Sequence, residues 1–334
     1  MAFVAGLFAA TATHLWSNYV NRHEKYQRLL DRCKSLSPTQ TAVAYPCDKA
    51  SLKGAIDAAE LGLLTPILVG PRAKIEGVAK QCGIDISRYE LIDAPHSVAA
   101  AEAAVRIVRE GKAEMLMKGS LHTDELMGAV VARDTGLRTA RRISHCFVMD
   151  VPTLEQALII SDAAVNIFPT LEDKVHIIQN AIGLAHALGR PQPKVAILSA
   201  METVSAKVPS TIDAAALCKM ADRGQITGGI LDGPLALDNA IDLTAAKIKR
   251  IVSPVAGQAD ILIVPDLEAG NMLAKSLSFL ADADAAGIVL GARVPIILTS
   301  RADSIMSRLA SCAVAGLVAK ARRESATAAI GQAA

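Results

Sequence analysis

The chain's 334 residues exceed what one ordinary hydrophobic core takes up, so two domains are expected, and an apolar share of 51% excludes disorder over most of the length. Its 35 Lys and Arg nearly balance 33 Asp and Glu, and the +2 charge is interspersed, so no global field recruits nucleic acid or an anionic membrane. Cys33, Cys47, Cys82, Cys146, Cys218 and Cys312 lie scattered without a C-x-x-C pair, which argues for reduced thiols in a cytoplasmic compartment rather than a disulfide frame or a zinc site.

Met1 to Thr13 is apolar and small, but it lacks a basic n-region and is shorter than the ~20 residues that span a bilayer. Residues 14–34 then read as an amphipathic helix packed on the first domain, with Tyr26, Leu29 and Leu30 on its apolar side. From Thr41 strands and helices alternate: strand 42–45, helix 51–61, strand 66–69, helix 71–82, strand 90–92, helix 97–110, strand 115–117, helix 123–133 and strand 145–151. Such alternation predicts βαβ units and a parallel sheet with right-handed crossovers. After Pro152 and Thr153 the grammar repeats with helix 171–189, strand 194–198, helix 210–223, strand 260–264 and helix 268–280. A last strand, 295–298, and helix, 303–323, could close either domain.

Familiar nucleotide and hydrolase signatures are missing: no G-x-G-x-x-G, P-loop, H-E-x-x-H or G-x-S-x-G occurs. Gly228 to Gly233 has glycines at the wrong spacing and reads as a turn. What remains is a set of anion-type loops at strand ends. Lys118-Gly119-Ser120-Leu121-His122-Thr123 could cradle a phosphate, with Gly119 allowing close backbone approach, or could be a turn with a capped helix. Thr299-Ser300-Arg301-Ala302-Asp303-Ser304 joins hydroxyls and a guanidinium to a helix N-terminus, whose unpaired N–H groups carry partial positive charge; the alternative is an ordinary N-cap beside a surface Arg. Arg138, Arg141 and Arg142 form either a binding cluster or a solvated basic face.

The run Leu116 to Thr123, the stretch Gly136-Leu137-Arg138-Thr139 to Ile143-Ser144-His145, then Ser253 to Asp260, Val264 to Asn271 and the Thr299-Ser300-Arg301 loop together resemble the phosphate acetyl/butyryltransferase family. The likeness spans roughly residues 22–320, and its wording is nearest the butyryl-type, hydratase-associated branch. It implies two α/β domains with mainly parallel sheets, similar to the isocitrate/isopropylmalate dehydrogenase fold, with the site in the interdomain cleft and a homodimer as the assembly. It assigns residues 1–152 and 296–334 to the first domain and 153–295 to the second. The implied reaction moves an acetyl or butyryl group between coenzyme A and inorganic phosphate, giving acyl phosphate, by thiol attack in a ternary complex. Coenzyme A is then a substrate, and neither a metal nor a tightly bound cofactor is called for.

That chemistry needs fixed positive charge and donors around a tetrahedral transition state. Ser300 and Arg301 are the expected source, with Ser144 and Arg142 on the second side and Asp303 as candidate base, followed by His122 and His145. Lys118, Gly119, His122, Thr123, Arg138, Arg142, His145, Ser304 and Asn271 are the expected substrate contacts. Two positions depart from the acetyltransferase pattern. Ser307 stands where those enzymes carry an Asp, and His145 replaces the second of a serine pair. A dehydrogenase or decarboxylase of the same fold would instead need a metal-binding cluster, for which Asp232, Asp238, Asp242 and Asp266 are candidates, together with a nucleotide. A third reading is a metabolite-binding protein without turnover.

Overall fold

A computed structural model describes residues 24–299 and 303–333. Met1 to Thr13, the start of the 14–34 helix, Ser300 and Arg301 lie outside the described residues. The first described helix, α1 (Glu24–Cys33), buries Tyr26, Leu29, Leu30 and Cys33 and also Lys25. Strands β1 (Thr39–Ala44), β2 (Leu64–Gly70), β3 (Glu90–Asp93) and β4 (Met115–Lys118) are all parallel, connected by α2 (Lys49–Glu60), α3 (Arg72–Cys82) and α4 (Ser97–Arg109). Near-continuous apolar runs such as Ile67-Leu68-Val69 form these strands because both faces are covered.

Helix α5 (Thr123–Val131) leads to β5 (Ser144–Asp150) and β6 (Leu158–Ser161). Further on come α6 (Leu171–Ala187), β7 (Lys194–Leu198), α7 (Pro209–Asp222), β8 (Ile230–Leu235), α8 (Leu237–Ile241), α9 (Leu243–Ile248), β9 (Ile261–Ile263), α10 (Leu267–Leu280), β10 (Asp284–Leu290), β11 (Ile296–Ile297) and α11 (Ile305–Ala333). Among the described residues the strands make one eleven-stranded sheet in the order 3-2-1-4-11-10-5-6-9-7-8.

The sheet is mainly parallel, as expected, and the parallel run is interrupted only at the centre. Strand β10 runs antiparallel to both neighbours, β11 and β5, and β5 runs antiparallel to β6. Beyond that reversal β6, β9, β7 and β8 are again mutually parallel. The two halves therefore point their carboxyl ends to opposite edges of the sheet. Three strands escaped the sequence reading: β6, β10, and β8, where Ile230 to Leu235 pairs with β7 although Gly228 to Gly233 reads as a turn. The last helix extends to Ala333, ten residues past its expected end at 323.

The sheet's two faces are covered differently. On the back, α1, α2, α3, α6, α7 and α11 pack over a single cluster that includes Val43, Met117 and Leu52 from the first half and Ile178, Val195 and Ile263 from the second. On the front the core is split. Leu116, Leu126, Val130 and Ile296 belong to one cluster, and Met149, Ile160, Leu262 and Leu235 to another. The seam between them follows β10 and β5.

Candidate active site

Alternation along the strands decides which polar groups reach the seam. Leu116 faces the first front cluster, so Lys118, two residues on, shares that face; its side chain is buried. Met117 and Ile297 share a register with Ile288 and Cys146, which puts Lys118 level with Phe147. Gly119 is required where the chain leaves β4: a Cβ there would lie 2.3 Å from the Ala44 carbonyl oxygen and 2.5 Å from that of Tyr45. Ser120 donates its hydroxyl to the Tyr45 carbonyl at 2.9 Å and accepts from the Cys47 N–H at 3.2 Å. His122 occupies the N-cap of α5, its backbone N–H donating to Glu125 at 2.8 Å, and Thr123 is the helix's first residue.

His145 points to the front and Ser144 to the back. Ser144 is fully buried, with its hydroxyl accepting from Asn180 Nδ2 at 2.8 Å, so it faces α6 rather than the seam. His145 is 1% exposed, meets the Phe147 ring edge-on at 4.3 Å, and leaves Nδ1 without a hydrogen-bond partner among the described residues. Gly287 makes room for the ring, because a Cβ there would fall 3.1 Å from Nε2 and 2.6 Å from the Leu298 carbonyl oxygen. Burial lowers the imidazole's pKa to about 4 despite the opposing pull of the Asp162 carboxylate, so His145 is neutral at physiological pH.

Asp162 and Asn166 went unnoticed in the sequence because they follow the overlooked strand β6. The Asp162 carboxylate accepts from the N–H groups of Ala164 and Val165 at 3.0 Å each and from Asn166 Nδ2 at 2.5 Å. Asn166 in turn accepts from Arg142 Nε at 2.6 Å, and Arg142 pairs with Asp173 at 2.9 Å. Arg138 and Arg142 line a pocket of about 470 Å³ with Asn166 and His176, between the end of α5 and the start of α6. Asn271, on α10, donates to the Ala163 carbonyl at 3.3 Å.

The expected residues thus form two groups. Lys118, Gly119, His122 and Thr123 gather at the carboxyl edge of the first half, together with Asp303 and Ser304. Arg138, Arg142 and Asn271 sit at the opposite edge with Asp162. Ser144 lies three strand residues below the Lys118 level, roughly 10 Å at the usual rise, so the groups do not converge on one point; His145 stands between them on the same face. Ser304, not Asp303, caps α11, accepting from the Ser307 N–H at 3.0 Å.

The four carboxylates considered for a metal are engaged separately. Asp242 and Asp266 cap α9 and α10, Asp232 accepts from the Gly233 N–H, and Asp238 pairs with Lys249. Burial pushes the thiols of Cys146, Cys218 and Cys312 up to about 12 and those of Cys33 and Cys47 to about 11, so none of these five is poised as a thiolate nucleophile. No helix among the described residues is long and apolar enough to cross a membrane.

Comparison with known proteins places the fold and the family. The family model described as "Phosphate acetyl/butaryl transferase" matches residues 96–315. A phosphate acetyltransferase from Rhizobium meliloti is 66% identical over 306 residues, covering 92% of this chain and 97% of its own. A branched-chain phosphotransacylase from Enterococcus faecalis V583 superposes with a TM-score of 0.74 at 29% identity, over 84% of this chain and 99% of that one. A 4-hydroxythreonine-4-phosphate dehydrogenase from Klebsiella pneumoniae shares the fold alone, with a TM-score of 0.54 and 13% identity over 85% of this chain and 100% of that one. With the family model covering well over half of its length, the chain belongs to the phosphate acetyl/butaryl transferase family.

Proposed function

We propose that the protein transfers an acetyl or butyryl group between coenzyme A and inorganic phosphate: acyl-CoA plus phosphate gives acyl phosphate plus CoA. The observation that supports this best is the front seam, where the core parts and polar groups from both halves flank a buried, neutral His145 with an unused nitrogen. A buried polar atom without a partner is costly, and a substrate carbonyl or thiol beside it would remove that cost.

In the direction of CoA acylation, the thiol sulfur attacks the acyl carbonyl carbon of the acyl phosphate. The S–C bond forms, the C–O bond to phosphate breaks, and the thiol proton leaves to a base. Holding both substrates in one seam supplies proximity, for which effective molarities reach ~10⁵ M or more. Lys118, Ser300 and Arg301 are assigned the phosphate end, together with Ser304 and Thr123. Arg138 and Arg142, at the far edge, take the phosphates of CoA, whose extended arm would pass His145. Ser144, turned toward α6, acts through the strand rather than on substrate.

We assign residues 1–152 with 296–334 to one domain and 153–295 to the other, with β10 of the second seated between β11 and β5 of the first, and place the site at this interdomain seam. The location is cytoplasmic, and turnover needs neither metal nor nucleotide. A homodimer is supported by α10, whose length leaves Met272, Phe279 and Leu280 exposed, with Ile167 and Phe168 exposed at its start, apolar side chains of the kind that partner surfaces cover. The test is phosphate- or arsenate-dependent release of free thiol from acetyl-CoA and butyryl-CoA, with chelator present and NAD absent. Release that survives the chelator supports the reading, and the ratio of the two rates sets the acyl preference. Absence of release from both substrates refutes it.

A further inference from the structure

Strand β10 brings a carboxylate to the edge where the phosphate loops lie, and it does so by running the wrong way. Because β10 is antiparallel to β11 and β5, its amino end, Asp284, stands at the carboxyl edge of the first half. A search for chemistry at the carboxyl ends of strands passes over such a residue. Asp284 Oδ1 accepts the Ser304 hydroxyl at 3.0 Å and the Ser307 hydroxyl at 3.1 Å. Its own carbonyl accepts the Tyr26 hydroxyl at 2.8 Å, so the strand end is anchored on the back by α1.

The receiving element lacks an acid of its own: the first turn of α11 contains no Asp or Glu. Ser304 is its N-cap and Ser307 its N3 residue, the spacing at which a helix normally places a carboxylate to complete a capping box. The two hydroxyls also lie 3.1 Å from each other, so both close on the one Asp284 carboxylate oxygen. The geometry points to Asp284 as a positioning residue for the acyl transfer, a carboxylate lent by β10 that fixes the first turn of α11 directly after the Thr299-to-Asp303 loop. The inference rests on the transferase reading, in which that loop holds the phosphate end.

The test moves the charge along the hydrogen bond it makes. Four variants are compared with wild type in the thiol-release assay: Asp284→Ala, Asp284→Asn, Ser307→Asp, and the double exchange D284S/S307D. Asp284→Ala is expected to lower kcat/KM for phosphate tenfold or more while retaining the wild-type circular dichroism spectrum. Asp284→Asn keeps the acceptor but not the charge and is expected to fall between. Ser307→Asp alone places a second carboxylate about one hydrogen bond from the first and lowers activity as well, since like charges at that distance do not both ionise readily. In the double exchange the carboxylate sits at N3 of the helix itself, and activity should return to within about threefold of wild type. A purely structural role would show as lost melting temperature without this rescue. Asp284→Ala with kcat/KM within twofold of wild type, or a double exchange no more active than Asp284→Ala, overturns the proposal. Inactivity of the wild type in the same assay would refute the transferase reading instead.

Discussion

The back of the sheet and its front solve the same packing problem in different ways. Behind, one apolar cluster runs from Val43 to Ile263 without interruption, with α11 over the first half packed against α6 over the second. In front, α4 and α5 cover one cluster and α8 to α10 another, leaving a seam along β10 and β5. Continuity gives the molecule a single cooperative body, and the interruption gives it a place where buried polar groups from two sides can meet a substrate. The same strands contribute to both faces, so the contrast comes from alternation within each strand rather than from separate pieces of chain.

Substitutions on the two faces should therefore separate stability from activity. The largest effect is expected from Arg301→Ala, which should lose on the order of 100-fold or more in kcat with unchanged melting, because a removed donor to a developing charge costs about that much. Gly119→Ala should follow, since its methyl would press on the Ala44 and Tyr45 carbonyls; a loss of about 3 kcal/mol in denaturant titration is expected, with activity falling through misplacement of Lys118. On the continuous face, Ile178→Ala should cost about 2–5 kcal/mol yet leave KM for both substrates within twofold. It should also keep a single unfolding transition; two transitions would mean that the back core does not join the halves.

The last effect is confined to acid pH. Burial holds the His145 pKa near 4 against an ordinary 6.5, so between those values the unfolded chain binds a proton that the folded chain does not. Stability from the neutral ring is complete above pH 6.5 and is lost as the pH falls toward 4, up to on the order of 3 kcal/mol. Asp162 is the charged group that opposes this depression. His145→Gln should flatten that part of the stability-versus-pH curve, and an unchanged slope would show that the imidazole is protonated in the fold.

Much of the architecture could be read from the residues. Runs such as Ile67-Leu68-Val69 and Met115-Leu116-Met117 are apolar on both faces and identify strands buried in a parallel set. Strand β10 could not be recognised that way, because Ala285, Ala286 and Gly287 have little strand preference, and Gly287 is there to admit the His145 ring. Strand β8 hides behind Gly233-Pro234, a pair that usually signals a turn. Missing β10 and β6 meant missing Asp284, Asp162 and Asn166 too. The loop residues Lys118, Gly119 and His122 were found because strand ends carry a sequence signature. Which of Ser144 and His145 faces the front could be assigned only after the register was known.

The order of the strands has a consequence for how the protein is made. Strand β5 is synthesised early, but β10, its neighbour on the side of the first half, and the β11 strip that joins β10 to β4 emerge only near the end of the described chain. On the ribosome, β4 and β5 would each expose an unpaired edge while all of β6 to β9 is translated. Those edges are templates for wrong partners, and at elongation rates of about 5–20 residues per second they stay open for several seconds or longer. The second half and its neighbour β5 are complete by β9, whereas β1 to β4 wait for β11 and for α11, the helix that covers their back, so the second half can close first. Nascent-chain release at successive lengths should accordingly give a protease-resistant second half before any resistance appears in β1 to β4.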